Sequence, residues 1–263
     1  MAAIVCSMSV NAQTMKVMKG DKVVATYTAE QADKVVFEEA TAPTKSNLLS
    51  GKFTVAEGKT VQFTRSNLYW DGNDYKFEAN QTDYPTSWDA NHVGHFFWSS
   101  TAAVAYAQSY SDGSASTSDK FFCGEDNKIT VEGTEGLYAL SSDEWTYLVN
   151  SRTNARSLYK YGVTVAGKSN CLIIAPDGYT GTIAASYDAT AWAAAEALGL
   201  VCLPAAGYRS GSNLDCGGYY GYYWSSSPYA FHASHAYYLY FYSDDFGPAS
   251  SNYRFGYSLR LVK

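Results

Sequence analysis

The sequence predicts an α+β fold dominated by sheet. Three observations lead there. From Gly51 onward long stretches alternate apolar and polar residues, as in "GKFTVAEGKTVQFTRSNLYW", the spacing of half-buried strands. Only "LSSDEWTYLVNSR" and "DATAWAAAEALGL" carry helix start signals followed by helical spacing. The last part of the chain is rich in Tyr, Ser and Gly and closes on the strand-like "YSLRLVK". A chain of 263 residues that is 46% hydrophobic can bury a sizeable core around such elements.

The elements follow in order. Residues 1–12 read as the end of a secretory signal. They are apolar and small, with Val10 and Ala12 at the positions a signal peptidase inspects, so cleavage is expected after Ala12. The positive stretch that normally opens such a segment is missing, so the true start is expected upstream. A lipid anchor at Cys6 is the lesser alternative, because Val5 is bulkier than a lipoprotein cleavage site allows. Residues 13–42 hold three short β-like runs around the turn Gly20-Asp21 and are expected as a small β appendage, too small for its own core. Residues 43–50, polar and containing Pro43, read as a linker. Residues 51–263 then form one domain. In it, Ser141 or Ser142 caps a first helix whose Trp145 and Leu148 share a face, and Asp188 or Thr190 opens a second, closed by Gly199. "VCLPAAGYRSG" follows as a buried strand running into a loop.

Composition excludes several functions. A net charge of -6 argues against tracking a nucleic-acid backbone, and no apolar run reaches the roughly 18 residues of a membrane span. After cleavage four cysteines remain. Cys171 and Cys202 lie in apolar runs, where a thiol behaves as a small hydrophobe, so free thiols are expected at these positions and at Cys123 and Cys216. "GVTVAGKS" (162–169) matches a phosphate-binding loop letter for letter, but its β-branched centre and the strand after it read as a hairpin turning at Gly167-Lys168. The pairs His92/His95 and His232/His235 lack a helical pattern and neighbouring Cys or Glu ligands, so no metal is expected. The acidic turns at 71–74 and 125–127 lack the ligand spacing of a calcium loop. There is no nucleophile elbow, and no catalytic residue or cofactor is expected.

The tyrosines carry the strongest signal. Half of the 24 fall between residues 208 and 257. In "AYYLYFYSDDF" (236–246), Tyr237, Leu239 and Phe241 lie on one face of a strand, and Tyr238, Tyr240 and Tyr242 on the other. The first set reads as core. The second is a row of rings facing solvent, which implies a binding face; a strand buried on both faces is the competing reading. From Ser210 to Tyr257 there is no Lys, Glu, Gln, Met, Ile, Val or Thr. Tyr, Ser, Gly and Asn are the mix of antibody loops, where tyrosine supplies rigid contact area and small residues let it adapt.

The runs "GKFTVAEGKTVQFTRSNLYW", "LSSDEWTYLVNSR", "CLIIAPDGY", "LPAAGYRSGS", "YYWSSSP", "AYYLYFYS" and "RFGYSLRLV" resemble exported bacterial proteins with a C-type-lectin fold. These include the variable proteins of diversity-generating retroelements, and the fold is shared with formylglycine-generating enzymes. The resemblance covers about residues 50–263, most specifically from Leu203 onward. In that family AAC codons are randomised to N-N-C codons, which cannot encode Lys, Glu, Gln, Met or Trp; in 210–257 the one Trp is Trp224, inside the "WSSS" scaffold. The resemblance implies diversified, ligand-binding positions at Asp215, Tyr219, Tyr220, Tyr222, Tyr229, His232, His235, Tyr238, Tyr240, Tyr242, Asp244, Asp245, Gly247, Ser250, Ser251 and Phe255. It implies a secreted or surface-displayed, adhesin-like binding protein. The ligand would be a protein or glycan on another cell, phage or host surface, and the N-terminal segment would join a surface or pilus assembly. The sugar motifs of calcium-dependent lectins are absent. Two alternatives remain: a non-diversified structural module, and a sulfatase-modifying enzyme. The second is disfavoured because Cys202 and Cys216 lie 14 residues apart, one in an apolar strand and one in a loop.

Overall fold

The structure is a computed structural model that describes residues 14–19, 21–28, 46–111 and 116–263. The expected signal segment with Cys6, the third N-terminal β run and linker residues 43–45 lie outside the described residues. The chain divides into two compact units, residues 1–45 and residues 46–263. In the first, strands β1 (Thr14–Lys19) and β2 (Lys22–Thr28) pair antiparallel from Thr14↔Thr28 to Lys19↔Lys22, with a bulge at Val17/Met18.

The second unit begins ahead of the expected boundary. Leu49 is buried, its N–H donates to the Phe63 carbonyl, and Leu48 bridges Thr64. Residues 46–50 therefore belong to the folded unit, which corrects the linker. Polar neighbours hid two leucines whose apolar partners lie elsewhere in the chain.

The unit is mostly sheet, with few and short helices. Two hairpins and a single strand come first: β3 (Phe53–Ala56) with β4 (Lys59–Val61), then β5 (Leu68–Trp70) with β6 (Tyr75–Phe77), then β7 (Phe96–Phe97). A four-residue helix α1 (Ala102–Ala105), not anticipated from the sequence, follows. Strands β8 (Ile129–Val131) and β9 (Thr134–Ala139) lead to α2 (Ser142–Thr146). Ser141 caps α2 as expected, accepting the Glu144 N–H at 3.1 Å, while the Glu144 carboxylate accepts the Ser141 N–H at 2.7 Å. A π turn over Tyr147–Ser151 extends this helix, so Trp145 and Leu148 both reach the core.

Strands β10 (Tyr159–Val165) and β11 (Lys168–Ile174) form the hairpin expected at the phosphate-loop lookalike. Its turn sits one residue earlier than expected. Val165 pairs with Lys168, and Ala166 and Gly167 both take positive φ, at 47° and 83°. That pair of signs suits the right-handed twist of a two-residue hairpin. Next come β12 (Ser186–Tyr187) and α3 (Ala189–Ala197), capped by Asp188 accepting the Ala191 N–H and ended at Gly199 with φ 85°. The chain continues through β13 (Val201–Leu203), β14 (Tyr208–Ser210), β15 (Asn213–Asp215), β16 (Gly221–Pro228), β17 (His235–Phe241), β18 (Phe246–Asn252), β19 (Phe255–Tyr257) and β20 (Leu261–Val262). Sheet orders are β12-β10-β11-β13, β15-β14-β19-β7, β16-β17-β18 and β20-β9-β8. Gln62 and Lys263 exchange both backbone hydrogen bonds, which ties the C-terminal strand to the start of the unit.

Three apolar clusters fill the interior. One packs Tyr223, Leu239 and Phe241 against Phe53, Phe63 and Trp145. A second gathers Phe96, Trp98, Phe121, Trp224 and Tyr257. A third places Cys171, Cys202 and Trp192 together. Cys123, Cys171 and Cys202 are buried free thiols, and Cys216 is a half-buried one. Two buried arginines join the layers. Arg260 donates to the carbonyls of Thr64, Arg65, Gln81 and Cys202 and to the side chains of Asn67 and Gln81. Arg209 donates to four carbonyls while its guanidinium lies over the Phe97 ring at 4.0 Å and the Trp88 ring at 4.7 Å.

Candidate functional site: a tyrosine face on one sheet

The site is built on β16, β17 and β18. Antiparallel pairing sets Tyr222 opposite Tyr240 and Trp224 opposite Tyr238, so all four side chains leave the same face. On β18 the residues opposite Tyr240 and Tyr238 are Gly247 and Ala249, which are too small to cover the rings. The other face carries Tyr223, Leu239 and Phe241, all fully buried. Gly221 makes that possible: a Cβ there would lie within 2.5 Å of three carbons of the Phe241 ring.

The rings form a connected layer. Tyr222 stacks on Tyr257 at 5.1 Å and meets Tyr208 edge-on at 5.8 Å, and Tyr208 in turn meets Phe255 at 5.7 Å. Tyr220 bridges Tyr222 and Tyr242, and Tyr242 stacks on Tyr240 at 6.3 Å. The row Tyr238, Tyr240 and Tyr242 is therefore not the free-standing set of rings expected from alternation. Tyr238 is half-buried, wedged against Trp224 and Tyr257 from the second cluster, and burial raises its hydroxyl's pKa. Tyr240 and Tyr242 are half-exposed and tethered. The Tyr240 hydroxyl donates to Asp245 Oδ2 at 2.7 Å and Tyr242 approaches the same oxygen at 3.5 Å. That hydrogen bond, with some desolvation, pushes Tyr240 up to about 12 and holds the Asp245 carboxyl below its usual range.

Beside this layer a cleft of about 430 Å³ is lined by Asp215, Cys216, Tyr219 and Tyr220 together with Tyr84, Pro85 and Thr86. Cys216 holds positive φ (60°) and its N–H donates to Asp215 Oδ1. The Gly218 carbonyl accepts from Asn170 Nδ2 at 2.9 Å, which fastens the turn to the β10–β11 hairpin. The loop 84–86 was not anticipated as part of the site. Its only sequence signal was an aromatic-proline pair in a polar stretch, and Lys168 covers the Tyr84 ring at 5.0 Å.

All the expected positions but Ser250 fall in three groups. Asp215, Tyr219 and Tyr220 are at the cleft. Tyr222, Tyr238, Tyr240, Gly247 and Ser251 share the ring face by register, joined by Tyr242, Asp245 and Phe255, with Asp244 exposed in the adjoining turn. Ser251 accepts the Tyr257 hydroxyl at 2.9 Å. Tyr229, His232 and His235 stand at the β16–β17 turn. Tyr229 and Ser250 do not join the ring face: Tyr229 packs edge-on against Tyr237, and Ser250 lies opposite Tyr237, on the side of the strand that Leu239 occupies. Phe231 at that turn, 83% exposed, was missed because nothing in its neighbours marks it. Acids outnumber bases on this surface: from residue 210 to 257 Arg254 is the one Lys or Arg, against Asp215, Asp244 and Asp245.

The histidine pairs differ. His95 is buried with Nε2 on the Ala206 carbonyl, and His92 pairs with Glu78 at 2.8 Å, so these two do not converge. His232 and His235 do, with ring nitrogens 2.9 Å apart. The acidic turns are satisfied locally. Asp71 accepts the N–H groups of Asn73 and Asp74, Glu125 pairs with Lys59, and Asp126 with Lys120.

Comparison of the chain with protein-family models, with curated proteins and with solved structures finds no match.

Proposed function

We propose that the unit 46–263 is a ligand-binding module with a C-type-lectin-like fold, exported and displayed at a cell surface, whose tyrosine face is diversified in sequence. One observation carries the reading. None of the implied variable positions is buried: every buried residue between 210 and 257 (Gly221, Tyr223, Trp224, Ser225, Ala236, Leu239, Phe241, Tyr253, Gly256 and Tyr257) lies outside the set, although half-buried or exposed residues such as Tyr237, Ala249 and Phe231 lie outside it too. Gly247, in the variable set, has open space where a Cβ would go; Gly207 and Gly221, outside it, have none, whereas Gly211, also outside it, is open. A surface whose residues change freely needs this separation, because a change at a buried position costs stability while one at an exposed position costs little. The ligand is a protein or glycan on another surface, met by rings that offer rigid contact area. The segment ahead of residue 46 links the module to its surface assembly. Among the described residues no helix is long and apolar enough to cross a membrane.

The gene tests this. The variable positions are expected to end in C at almost every codon, with a near-copy carrying AAC at those codons beside a reverse transcriptase. Codons of mixed third base and no such copy would sink diversification while leaving ligand binding standing.

A second reading has an observation of its own. Phe231 at 83% and Tyr219 at 69% exposure suit a face that packs permanently against another subunit of a surface assembly. A monodisperse free domain in size-exclusion chromatography speaks for the binding module, and partner-dependent solubility for the structural one. The enzyme alternative finds less support. Cys202 is fully buried, burial raises its thiol's pKa well above the usual range, and its thiol neighbour is Cys171 rather than Cys216.

A further inference from the structure

We propose that His232 and His235 form a divalent transition-metal site, selective for copper(II), at the β16–β17 turn. Three backbone bonds shape the turn. Tyr229 N–H donates to the His235 carbonyl at 2.7 Å, His232 N–H to Tyr229 at 3.2 Å, and His235 N–H to His232 at 3.0 Å. They bring two imidazoles three residues apart onto one side, with centroids 4.2 Å apart and the two Nδ1 atoms 2.9 Å apart. The Ser234 hydroxyl completes a triangle, 3.0 Å from His232 Nδ1 and 3.3 Å from His235 Nδ1. Ser234 N–H reaches His232 Nδ1 at 3.4 Å, and Asn252 Nδ2 donates to Ser234 Oγ at 3.3 Å.

The triangle's edges match one face of a coordination octahedron. With metal–nitrogen bonds of about 2.05 Å, two nitrogens 2.9 Å apart subtend about 90° at the metal, whereas tetrahedral zinc needs them about 3.3 Å apart. Cis positions at 90° belong to tetragonal copper(II) or nickel(II), and copper heads the affinity order for nitrogen donors. Both rings bind through Nδ1 in their neutral form. The ring that carries its proton there moves it to Nε2, so two lone pairs meet the cation and no net proton is released. Ser234 adds a weak neutral donor, and the remaining positions take water. Among the described residues no three His, Cys, Asp or Glu side chains converge, so this imidazole pair and Ser234 carry the proposal without a third ligand of those types. His232 and His235 belong to the implied variable set, so the metal would sit at the edge of the surface read as ligand-binding; the site rests on the donor geometry and not on which ligand that surface takes.

The test titrates the untagged full chain with copper(II), nickel(II) and zinc(II) chloride by calorimetry and records the copper electron paramagnetic resonance spectrum. One equivalent of copper is expected, with hyperfine structure from two equatorial imidazoles and zinc bound at least tenfold more weakly. His232→Ala and His235→Ala should each lower copper affinity tenfold or more, and His92→Ala should change nothing. Circular dichroism confirms that each variant keeps its fold, and His232→Gln serves if the alanine variant does not. Unchanged copper binding in the double histidine variant, a spectrum with one imidazole or none, or zinc bound as tightly as copper overturns the proposal.

Discussion

Gly221→Ala and Gly247→Ala make the same chemical change on the two outer strands of one three-stranded sheet and should give opposite results. At Gly221 the new methyl would overlap the Phe241 ring, whose carbons lie within 2.5 Å of the ideal Cβ position; carbon atoms in contact normally keep about 3.5–4.0 Å. The ring cannot step aside, because Phe241 is fully buried, stacks on Tyr223 at 5.9 Å and sits in the cluster of Leu239, Phe53 and Trp145. Overpacking of this kind costs about 1–3 kcal/mol. Replacing glycine by alanine returns about 0.4–1 kcal/mol by narrowing the unfolded ensemble, which does not offset it. At Gly247 nothing lies within 4 Å of the new methyl, so only that gain remains. Both variants share that gain, so they should differ by the overpacking term alone, about 1–3 kcal/mol. Urea denaturation midpoints at constant m-value measure the difference. The double variant Gly221→Ala/Phe241→Leu closes the cycle: removing the ring should recover at least about 1 kcal/mol of the Gly221→Ala loss. Equal midpoints for the two glycine variants, or no recovery in the double variant, would refute the packing account of why the tyrosines face outward.

Three further outcomes are expected. Leu239→Ala should cost about 2–5 kcal/mol and Tyr240→Ala about 0.5–1.5 kcal/mol, the net worth of its hydroxyl's bond to Asp245, with Tyr238→Ala between them because it is wedged on Trp224 and Tyr257; denaturation midpoints for the three decide this. Arg260→Ala should lose more than about 3 kcal/mol by stranding buried acceptors, and Arg260→Lys should not restore it, since one ammonium cannot span carbonyls on four different residues. Tyr240 titrates up to about 12, above its unfolded value near 10. Its contribution to stability is thus complete below about pH 10 and lost as pH rises through about 12. Asp245→Asn should bring the Tyr240 midpoint down toward 10 in a ¹³C-tyrosine NMR titration, and an unmoved midpoint would remove Asp245 as the cause.

Local features were legible in the sequence because their causes are local. Ser141 and Glu144 specify a helix start between themselves, and Asp188 does the same for α3. The β10–β11 hairpin and the alternation along β17 come from short-range patterns, and with them came the division between Leu239 and Phe241 inside and Tyr240 outside. What covers a face is set by residues far along the chain, and that only the tertiary structure decided. Tyr238 is half-buried because Trp224 and Tyr257, brought in by β16 and β19, stand against it. Tyr229 and Ser250 lie on the far side of the sheet because register, not composition, assigns a residue to a face. The cleft acquires Tyr84 from a loop more than 100 residues upstream, and Leu49 is buried by contacts with strands that follow it. Periodicity tells a side chain which way to point; only packing tells it what it will meet.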